Sequence, residues 1–224
     1  MTIEQTRQLG IEFERRVQTM IPETEIVAKL DTETIYSYLN QYQDKLVHET
    51  YKALDGIPVQ SKPSAYIEAI LSGLITTANV QLSGGTNNRY FMNLPSNFGL
   101  YLSSATNVNK MYQYKTSEDK LNGGSVTNVY LPQSVQLELN NRPYDSFRII
   151  RNPIFQIKDN KAQLTCDRYT DPTDVDITYY RIPRYMDLMT STPCELSMDA
   201  FDDLVTGAVD LYVQYVAGAE ARKR

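Results

Sequence analysis

The sequence predicts an α+β fold: a helical bundle built from both ends of the chain, with an inserted antiparallel β domain between them. Apolar residues recur with a helical period near both ends and with a period of two in the middle. The middle strands follow one another without intervening helices, which is typical of an antiparallel sheet or small barrel. We therefore assign residues 1–80 and 186–224 to the helical bundle and residues 81–185 to the β domain.

The first predicted helix carries apolar residues on one face: Leu9, Phe13, Val17 and Met20. Thr2 and Gln5 have the spacing of a capping box, in which each residue binds the backbone amide of the other. Pro22 is expected to end the helix, because proline lacks the amide hydrogen that a helix interior uses.

The second predicted helix spans residues 32–54, with Asp31 or Thr32 as its N-cap and Gly56 as its stop. Its apolar stripe consists of Ile35, Leu39, Tyr42, Leu46 and Leu54. Tyr36, Tyr38 and Tyr51 widen the apolar surface beyond that stripe, and a helix that is apolar on two sides usually has two neighbours.

A third helix is predicted from Pro63, a residue that suits the first turn of a helix. Its stripe has helical spacing throughout: Ile67, Ile70, Leu71, Leu74, Ile75 and Ala78. The last helix is predicted to begin after the cap Ser197, and its stripe consists of Met198, Phe201, Leu204, Val205, Ala208, Leu211, Tyr212 and Tyr215. Because this helix has no apolar partner nearby in sequence, we expect it to pack against the N-terminal helices.

Three clear strands are predicted at 135–139, 162–166 and 175–179, where apolar and polar residues alternate. Weaker strands are predicted at 89–94, 100–108 and 126–131. Breaks or turns are expected at Gly84-Gly85, Asn122-Gly123-Gly124, Asp159-Asn160 and Asp171-Pro172-Thr173-Asp174. The middle of the chain should therefore form several short strands joined by tight turns.

Composition excludes several classes of protein. The chain of 224 residues has 22 Lys and Arg against 27 Asp and Glu, a net charge of −5, which argues against a sequence-reading nucleic-acid binder. Cys166, Cys194 and His48 are too few for a usual structural zinc site or a disulfide scaffold. The first twenty residues lack the apolar core of a signal peptide, and no run of 18 apolar residues exists. We expect a soluble protein made in a reducing or redox-neutral compartment.

The candidates for chemistry are weak. His48 is either a general base or a polar residue on a helix face, and the second reading is favoured. Carboxylates cluster in one short stretch, where they either bind calcium or face solvent around a turn: Asp167, Asp171, Asp174 and Asp176. No catalytic or phosphate-binding motif with strict spacing is present. We expect no enzymatic activity, no cofactor and no metal.

Several segments give a resemblance to a known family. The strand 176–183 ends in Tyr-Tyr-Arg-Ile-Pro, and Cys194-Glu195-Leu196 and the helical stretch 203–212 follow it. With the N-terminal segment Leu-Asn-Gln-Tyr-Gln-Asp-Lys-Leu at 39–46, the chain resembles the ring or head-to-tail connector proteins of crAss-like bacteriophages. The order of helices, β insertion and helix is also similar to the tail tubular adaptor of short-tailed phages.

The resemblance implies a virion structural protein, a ring subunit of the head–tail connector, assembled in the bacterial host cytoplasm. Such adaptors commonly form rings of twelve copies below the portal protein and continue the channel for double-stranded DNA ejection. The partners implied are identical copies, the portal, further ring or tail proteins, and DNA that passes without sequence recognition, with no membrane. A net acidic subunit suits this passage, because basic contacts to phosphate would hold the DNA.

The resemblance also implies site residues. The C-terminal tail of such adaptors often reaches the portal, which makes Arg222, Lys223 and Arg224 the candidate portal contacts. Tyr36, Tyr38 and Tyr51 are the candidate contacts between subunits, since the chain has 17 tyrosines against six phenylalanines and tyrosine is enriched at interfaces. Two alternatives stay open: a tail-associated carbohydrate- or receptor-binding module using aromatic residues of the β domain, and a hydrolase using His48 or paired carboxylates.

Overall fold

A computed structural model describes residues 1–20, 30–55, 65–86, 88–112, 120–131, 152–158, 161–166 and 170–221. Helices and two β-sheets make up this part of the chain, so the predicted α+β class is confirmed. The chain divides into two compact units, a helical unit (Met1–Leu74 with Ile182–Arg224) and a β unit (Ile75–Arg181). The insert thus begins at Ile75 rather than at residue 81, and it ends at Arg181 rather than at residue 185.

The described part of the helical unit contains four α-helices: α1 (Ile3–Met20), α2 (Thr32–Asp55), α3 (Ala65–Leu71) and α4 (Phe201–Ala221). Short 3-10 turns follow α3 at Ser72–Leu74 and precede α4 at Met198–Ala200. The bundle core is made by α1, α2 and α4, and α4 lies against both of the others. The predicted packing of the C-terminal helix on the N-terminal helices is confirmed.

The helix starts follow the capping chemistry of the sequence. Thr2 and Gln5 bind each other's backbone amides, with the Thr2 amide 2.7 Å from Gln5 Oε1 and the Gln5 amide 3.2 Å from Thr2 Oγ1. The Thr34 amide donates to Asp31 Oδ1 at 2.7 Å at the start of α2. Ser197 caps the turn before α4 by accepting from the Asp199 amide at 3.2 Å. These side chains satisfy amides that a helix leaves without partners at its first turn.

The third predicted helix is wrong beyond Leu71. After the turn Ser72–Leu74, the chain continues as a strand, so Ile75 and Ala78 lie in a sheet rather than on a helix face. Residues 75–77 are Ile-Thr-Thr, and β-branched side chains favour strands because their χ1 freedom is restricted in a helix. A partner strand far along the chain then decides the outcome, since Ile75 pairs with Tyr180.

The described part of the β unit contains nine strands: β1 (Ile75–Gln81), β2 (Ser83–Thr86), β3 (Arg89–Asn93), β4 (Phe98–Tyr112), β5 (Lys120–Thr127), β6 (Val129–Tyr130), β7 (Ile154–Lys158), β8 (Lys161–Thr165) and β9 (Thr170–Arg181). One sheet has the order β1-β9-β4-β5 and is antiparallel throughout. The other has the order β2-β3-β8-β7-β6 and is antiparallel except for its β6–β7 edge.

The inward-facing residues of both sheets form one apolar core. On β9, Val175, Ile177 and Tyr179 alternate inward, as the sequence pattern predicts. They join buried residues of the second sheet: Met92, Phe155, Ala162 and Leu164. Each sheet therefore buries one face, which is the arrangement that alternating apolar and polar residues favour.

Three predicted breaks in the β domain are wrong. Asn122-Gly123-Gly124 lies inside β5, where Gly123 adopts a φ of 72° that glycine accepts without steric cost. Gly84-Gly85 lies inside β2, next to an irregularity in its pairing with β3. Asp171-Pro172-Thr173-Asp174 belongs to β9, with Pro172 opposite Val108 where the register with β4 shifts. Proline is tolerated at such irregular positions because no regular ladder bond is lost.

Other predictions fall partly or wholly outside the described residues. These include the strand at 135–139, Pro22, Gly56, Pro63 and the turn residues Asp159-Asn160. On either side of that turn, Lys158 pairs with Lys161 in an antiparallel ladder. The strand predicted at 126–131 is two strands, since β5 ends in one sheet and β6 belongs to the other.

Asn128 sits at this change of sheet and is buried, with 8% of its surface exposed. Its Oδ1 accepts a hydrogen bond from Thr106 Oγ1 at 2.6 Å, and its Nδ2 donates to Ser104 Oγ at 2.9 Å. Its backbone amide also donates to the Ser104 carbonyl at 3.0 Å. One amide side chain thus satisfies two buried hydroxyl groups of β4, which would otherwise be costly to bury.

Helices α2 and α4 approach each other closely at Gly207. A β-carbon built at this position would lie within 2.4 Å of three ring atoms of Tyr42, so the ring occupies the space that a larger residue would need. Gly218, on the same helix, has no atom within 4 Å of the corresponding position. Glycine at 207 therefore serves packing, whereas glycine at 218 does not.

We predict that Gly207→Ala lowers the free energy of unfolding by about 1–3 kcal/mol, because Tyr42 must move out of its place against α4. Gly218→Ala is the matched control and should raise it by about 0.5–1 kcal/mol through helix propensity alone. Urea unfolding followed by circular dichroism measures both changes. Equal stabilisation by the two substitutions would show that the Tyr42 ring does not rest on Gly207.

We predict that Asn128→Ala destabilises the protein by about 1–3 kcal/mol, because the hydroxyls of Ser104 and Thr106 lose a buried partner. Asn109→Ala is the control, because Asn109 is exposed and its hydrogen bond to Asp171 Oδ2 is long, at 3.4 Å. The effect of this substitution on the free energy of unfolding should stay within about 0.5 kcal/mol. The same urea titration compares the two. A loss at Asn109 as large as that at Asn128 would contradict a special role for the buried amide.

Candidate interaction surface

Tyr36, one of the three tyrosines predicted to contact a neighbouring copy, is a core residue. Only 6% of its surface is exposed, and its hydroxyl donates to the Thr6 carbonyl of α1 at 2.8 Å. Burial raises the pKa of its phenol to about 12. Its ring is used within the chain to join α2 to α1, so Tyr36 is not carried forward as an intersubunit contact.

Tyr38 belongs to an aromatic cluster between α2 and α4. Its ring meets Tyr212 edge-on, with centroids 5.3 Å apart, and lies 6.3 Å from the ring of Tyr215. Tyr212 is buried, but Tyr215 is 66% exposed, although the sequence pattern placed both in one apolar stripe. Tyr51 is half-buried near the end of α2. The outward-facing aromatic of this cluster is therefore Tyr215, which the sequence analysis placed in the apolar stripe of the last helix and not among the candidate contacts.

Large apolar side chains are exposed on several elements of the helical unit: Ile11, Met20, Tyr66, Ile182, Tyr185, Met189, Met198 and Tyr215. Single exposed apolar residues are ordinary on a protein surface. The exception is Met189, which is 95% exposed. Arg222, Lys223 and Arg224, the candidate portal contacts, lie outside the described residues.

Met189 lies in the stretch that we call the return segment, residues 182–197, which leads from β9 to the turn before α4. The segment is held on α2 by polar side chains. The Asn40 amide accepts from the Met186 amide at 2.8 Å and donates to the Met186 carbonyl at 3.0 Å. Gln43 Nε2 donates to the Arg184 carbonyl at 3.2 Å. These bonds replace the ladder that a regular strand would supply.

Two further contacts fix the ends of the return segment. The Arg184 amide and Nε both donate to the carboxylate of Glu195 at 2.8 Å, and only 7% of the Glu195 side chain is exposed. The Cys194 amide donates to Thr6 Oγ1 at 2.9 Å. Hydrogen bonds to a charged group are stronger than neutral ones, so the Arg184–Glu195 pair closes the segment firmly on itself.

The tip of the return segment is a tight loop, residues 187–192, which we call the Met189 loop. Asp187 and Thr192 exchange two backbone hydrogen bonds, at 3.0 and 2.7 Å. The Asp187 carboxylate accepts from Thr190 Oγ1 at 2.9 Å and from the Met189 amide at 2.8 Å, and these bonds lower the pKa of Asp187. Ser191 adopts a positive φ of 56°. These hydrogen bonds fix the shape of the loop, and the side chain of Met189 at its tip is exposed to solvent.

The residues considered for catalysis do not come together. His48 is exposed on α2, and both cysteines are buried thiols that are not joined in a disulfide. Burial raises the pKa of the Cys194 thiol to about 11, and its Sγ lies 3.6 Å from Gln43 Oε1. A thiol held protonated in this way is poorly suited to be a nucleophile at neutral pH.

The acidic stretch considered for calcium forms part of a polar sheet face. Asp174 and Asp176 project from β9 beside asparagines of the two flanking strands. Asn79 Nδ2 donates to Asp176 Oδ1 at 2.8 Å, and Asn107 Nδ2 donates to Asp176 Oδ2 at 3.0 Å. Both amides also donate to Asp174. The carboxylates are therefore satisfied by amides, and Asp167 lies outside the described residues.

Over the residues that the structure describes, no group of three or more His, Cys, Asp or Glu side chains is arranged to hold a metal ion. Within the same residues, no helix combines the length and the hydropathy needed to span a bilayer. No known protein family matches the sequence, and no curated protein matches it either.

The Asp174 cluster predicts a pH dependence of stability. Hydrogen bonds, first from Asn107 and then from Asn79 and Thr173, lower the pKa of Asp174 below its ordinary 3.8. The folded state thus favours the carboxylate, so its contribution is complete above that ordinary value and is lost as the pH falls through the lowered pKa. We expect Asp174→Asn to destabilise the protein at pH 7, with a smaller effect at pH 3 and below.

Urea titrations of wild type and variant at both pH values measure this effect. Asp171→Asn is the control, because that exposed carboxylate lies 3.4 Å from Asn109 Nδ2 and should matter little at either pH. An Asp174→Asn effect that is the same at pH 7 and at pH 3 would contradict the assigned role of the charge.

Proposed function

We propose that this chain is a non-enzymatic structural subunit of a phage head–tail connector, in which identical copies form a ring below the portal protein. The observation that carries the proposal is the rigidly held Met189 loop, which presents an apolar side chain to solvent from the helical unit. A loop held in one shape with an exposed apolar side chain at its tip suits a contact with another protein, because little entropy is lost when it binds.

The distribution of exposed apolar residues supports an assembly of copies. They occur on α1, α3, α4 and the return segment, and on strands of the β unit as well. A ring subunit meets its two neighbours through two different surfaces, so it needs apolar contacts on more than one element. Tyr38 and Tyr51 remain candidates for these contacts, and Tyr215 is added to them.

Three of the four segments that carry the resemblance to crAss-like connector proteins lie in the helical unit. The stretch 39–46 lies on α2 and supplies Asn40 and Gln43, whose side chains bind the backbone at Met186 and Arg184. Cys194 to Leu196 lie in the same return segment, and 203–212 lies on α4. The resemblance therefore covers packed elements of the helical unit together with residues 176–183, most of which belong to β9 of the β unit.

The remaining partners follow from the same proposal. The portal protein would contact the tail residues Arg222, Lys223 and Arg224, and further ring or tail proteins would complete the connector. Double-stranded DNA would pass without being gripped, which suits a chain with a net charge of −5. The protein would reside in the virion after assembly in the host cytoplasm.

We expect the purified protein to form a closed oligomer, either alone or once the portal protein is added, since ring contacts between copies define its role. Light scattering after gel filtration gives the number of copies, and negative-stain images show whether the oligomer is a ring. Adding purified portal protein tests the second interface in the same run. A strictly monomeric protein that never joins a portal-containing particle, and is absent from purified virions, would overturn the proposal.

A further inference from the structure

The four-stranded sheet of the β unit has two edges at which backbone groups are open. Its strand order is β1-β9-β4-β5, so β1 and β5 each have a neighbour on one side only among the residues that the structure describes. An edge strand presents a row of amide and carbonyl groups along its outer side. These groups form a template on which another strand can pair, so each edge is a candidate contact surface.

The exposure of side chains shows that β1 is less covered than the strand beside it. Ala78 and Val80 of β1 pair with Ile177 and Val175 of β9, and all four side chains face the core of the β unit. The two residues of β9 are 0% exposed, whereas Ala78 and Val80 are only half-buried. The outer side of β1 is therefore accessible.

The other edge, β5, is also accessible. Gly123, Gly124, Ser125 and Thr127 are exposed, and Val126 is half-buried. A β-carbon built at Gly123 would have no atom within 4 Å, so nothing in the described chain fills the space beside it. Glycine within a strand is common where another backbone approaches closely. The edge at β5 can therefore receive a further strand.

Neither edge carries the features that usually prevent sheets from pairing, which are charged side chains, proline, bulges and short length. β1 (Ile75–Gln81) and residues 122–127 of β5 contain no charged residue and no proline, although 22% of the whole chain is charged. Each keeps one register with its neighbour. The described edges of the other sheet differ, since β6 has two residues and the pairing of β2 is irregular.

The two edges match each other in direction and in the faces of their side chains. Because four antiparallel strands alternate, β1 and β5 run in opposite directions. A second copy that lies beside the first in the same orientation therefore brings its β1 antiparallel to β5. Ala78 and Val80 face inward on β1, and Val126 of β5 faces inward opposite the buried Thr106. A joint that keeps this phase would cover all three apolar side chains.

We propose that β1 of one copy pairs antiparallel with β5 of the next copy, so that the four-stranded sheets of neighbouring copies join edge to edge. The inference rests on the proposed function and specifies a contact of the ring. Because the two edges are different, the contact is head-to-tail, and a closed ring leaves neither edge open. Inward residues stay opposite inward residues, since a slip by one residue would turn apolar side chains to solvent.

Cysteine crosslinking between two singly substituted proteins tests the joint. Thr77→Cys and Ser125→Cys replace exposed residues of β1 and β5, and a short bis-maleimide can join the mixed proteins only between copies. Lys161→Cys replaces Thr77→Cys in the matched control, since Lys161 is an exposed strand residue of the other sheet. We expect at least about tenfold more heterodimer with Thr77→Cys than with the control, because contact raises the local concentration of the two thiols.

The natural cysteines do not obscure this result. Cys166 and Cys194 are buried, at 4% and 0% exposed, so the introduced thiols dominate the reaction. Peptide mass spectrometry then identifies which two positions are joined.

Proline substitution provides an independent readout. Successive residues of an antiparallel strand direct their amides to opposite sides, so one of Thr76 and Thr77 donates toward β9 and the other toward the open edge. Thr76→Pro and Thr77→Pro are made separately, and circular dichroism shows which variant stays folded. Proline at the outward amide leaves the ladder with β9 intact. It should weaken self-association by about tenfold or more, since the joint loses a hydrogen bond, and sedimentation velocity measures this change.

Hydrogen exchange shows whether the edge is open before copies assemble. In the dilute monomer, the outward amides of β1 should exchange at least about tenfold faster than in the oligomer. The amides of the central strand β9 are the control and should be protected in both states. Protection of every β1 amide in the monomer would show that the chain itself covers this edge, and would overturn the inference.

The remaining outcomes separate this inference from the proposed function. Rings that form without the 77–125 crosslink would overturn the inference and leave the connector proposal standing. The crosslink in open chains of copies would support the edge-to-edge joint and count against the ring. Crosslinking of Thr77→Cys to a second Thr77→Cys would overturn the inference in favour of a two-fold pair. A protein that neither associates nor crosslinks, alone or with the portal protein, would overturn both.

Discussion

Helix α4 must be covered by helices from the other end of the chain, and this requirement organises the helical unit. Its buried residues form one wide face: Leu204, Val205, Ala208, Val209, Tyr212 and Val216. Burying a large apolar side chain contributes about 1.5–3 kcal/mol, so α4 is unstable without two partners. Both α1 and α2 supply them, and Arg16 of α1 adds hydrogen bonds to Asp202 at 2.5 Å and Thr206 at 2.6 Å. The helical unit is therefore built from segments that precede and follow the β unit in the sequence.

The return segment connects the β unit to α4 without forming a regular helix or strand. The chain leaves β9 and must reach the start of α4, and its backbone groups there cannot rely on a helix or a sheet. Side chains of α2 bind them instead, Asn40 through both atoms of its amide. Because α2 holds these side chains in place, the backbone of the return segment before the Met189 loop has a defined position on the helix. The Met189 loop itself is held by its own hydrogen bonds, which Met189 and Thr190 donate to Asp187.

The two units differ in what they offer to other molecules. The described outer face of the four-stranded sheet is polar, with Asp174 and Asp176 bound to asparagines on both sides. Its aromatic residues largely stack inward, as Tyr101 does on Phe155 at a centroid distance of 5.2 Å. Large apolar side chains are exposed on both units, and those in the described part of the β unit are Ile75, Phe91, Leu102, Val129 and Tyr130. One proposed contact between copies uses the helical unit because the Met189 loop, whose shape its own hydrogen bonds hold, belongs to it.

Local sequence determined the elements whose signals are local. Capping by Thr2, Asp31 and Ser197, the period of α1 and α2, and the alternation on β9 all depend on residues a few positions apart, and each is present as predicted. Tertiary structure decided the rest. Ile75 leaves the predicted helix because Tyr180, a distant residue, offers a strand partner, and Pro172 stays in β9 because β4 shifts its register there. Tyr36 was expected to face a neighbouring copy but is buried, whereas Tyr215 was expected on the apolar stripe of its helix but is exposed. The side of a helix that becomes covered depends on neighbouring elements, which the local sequence pattern does not contain.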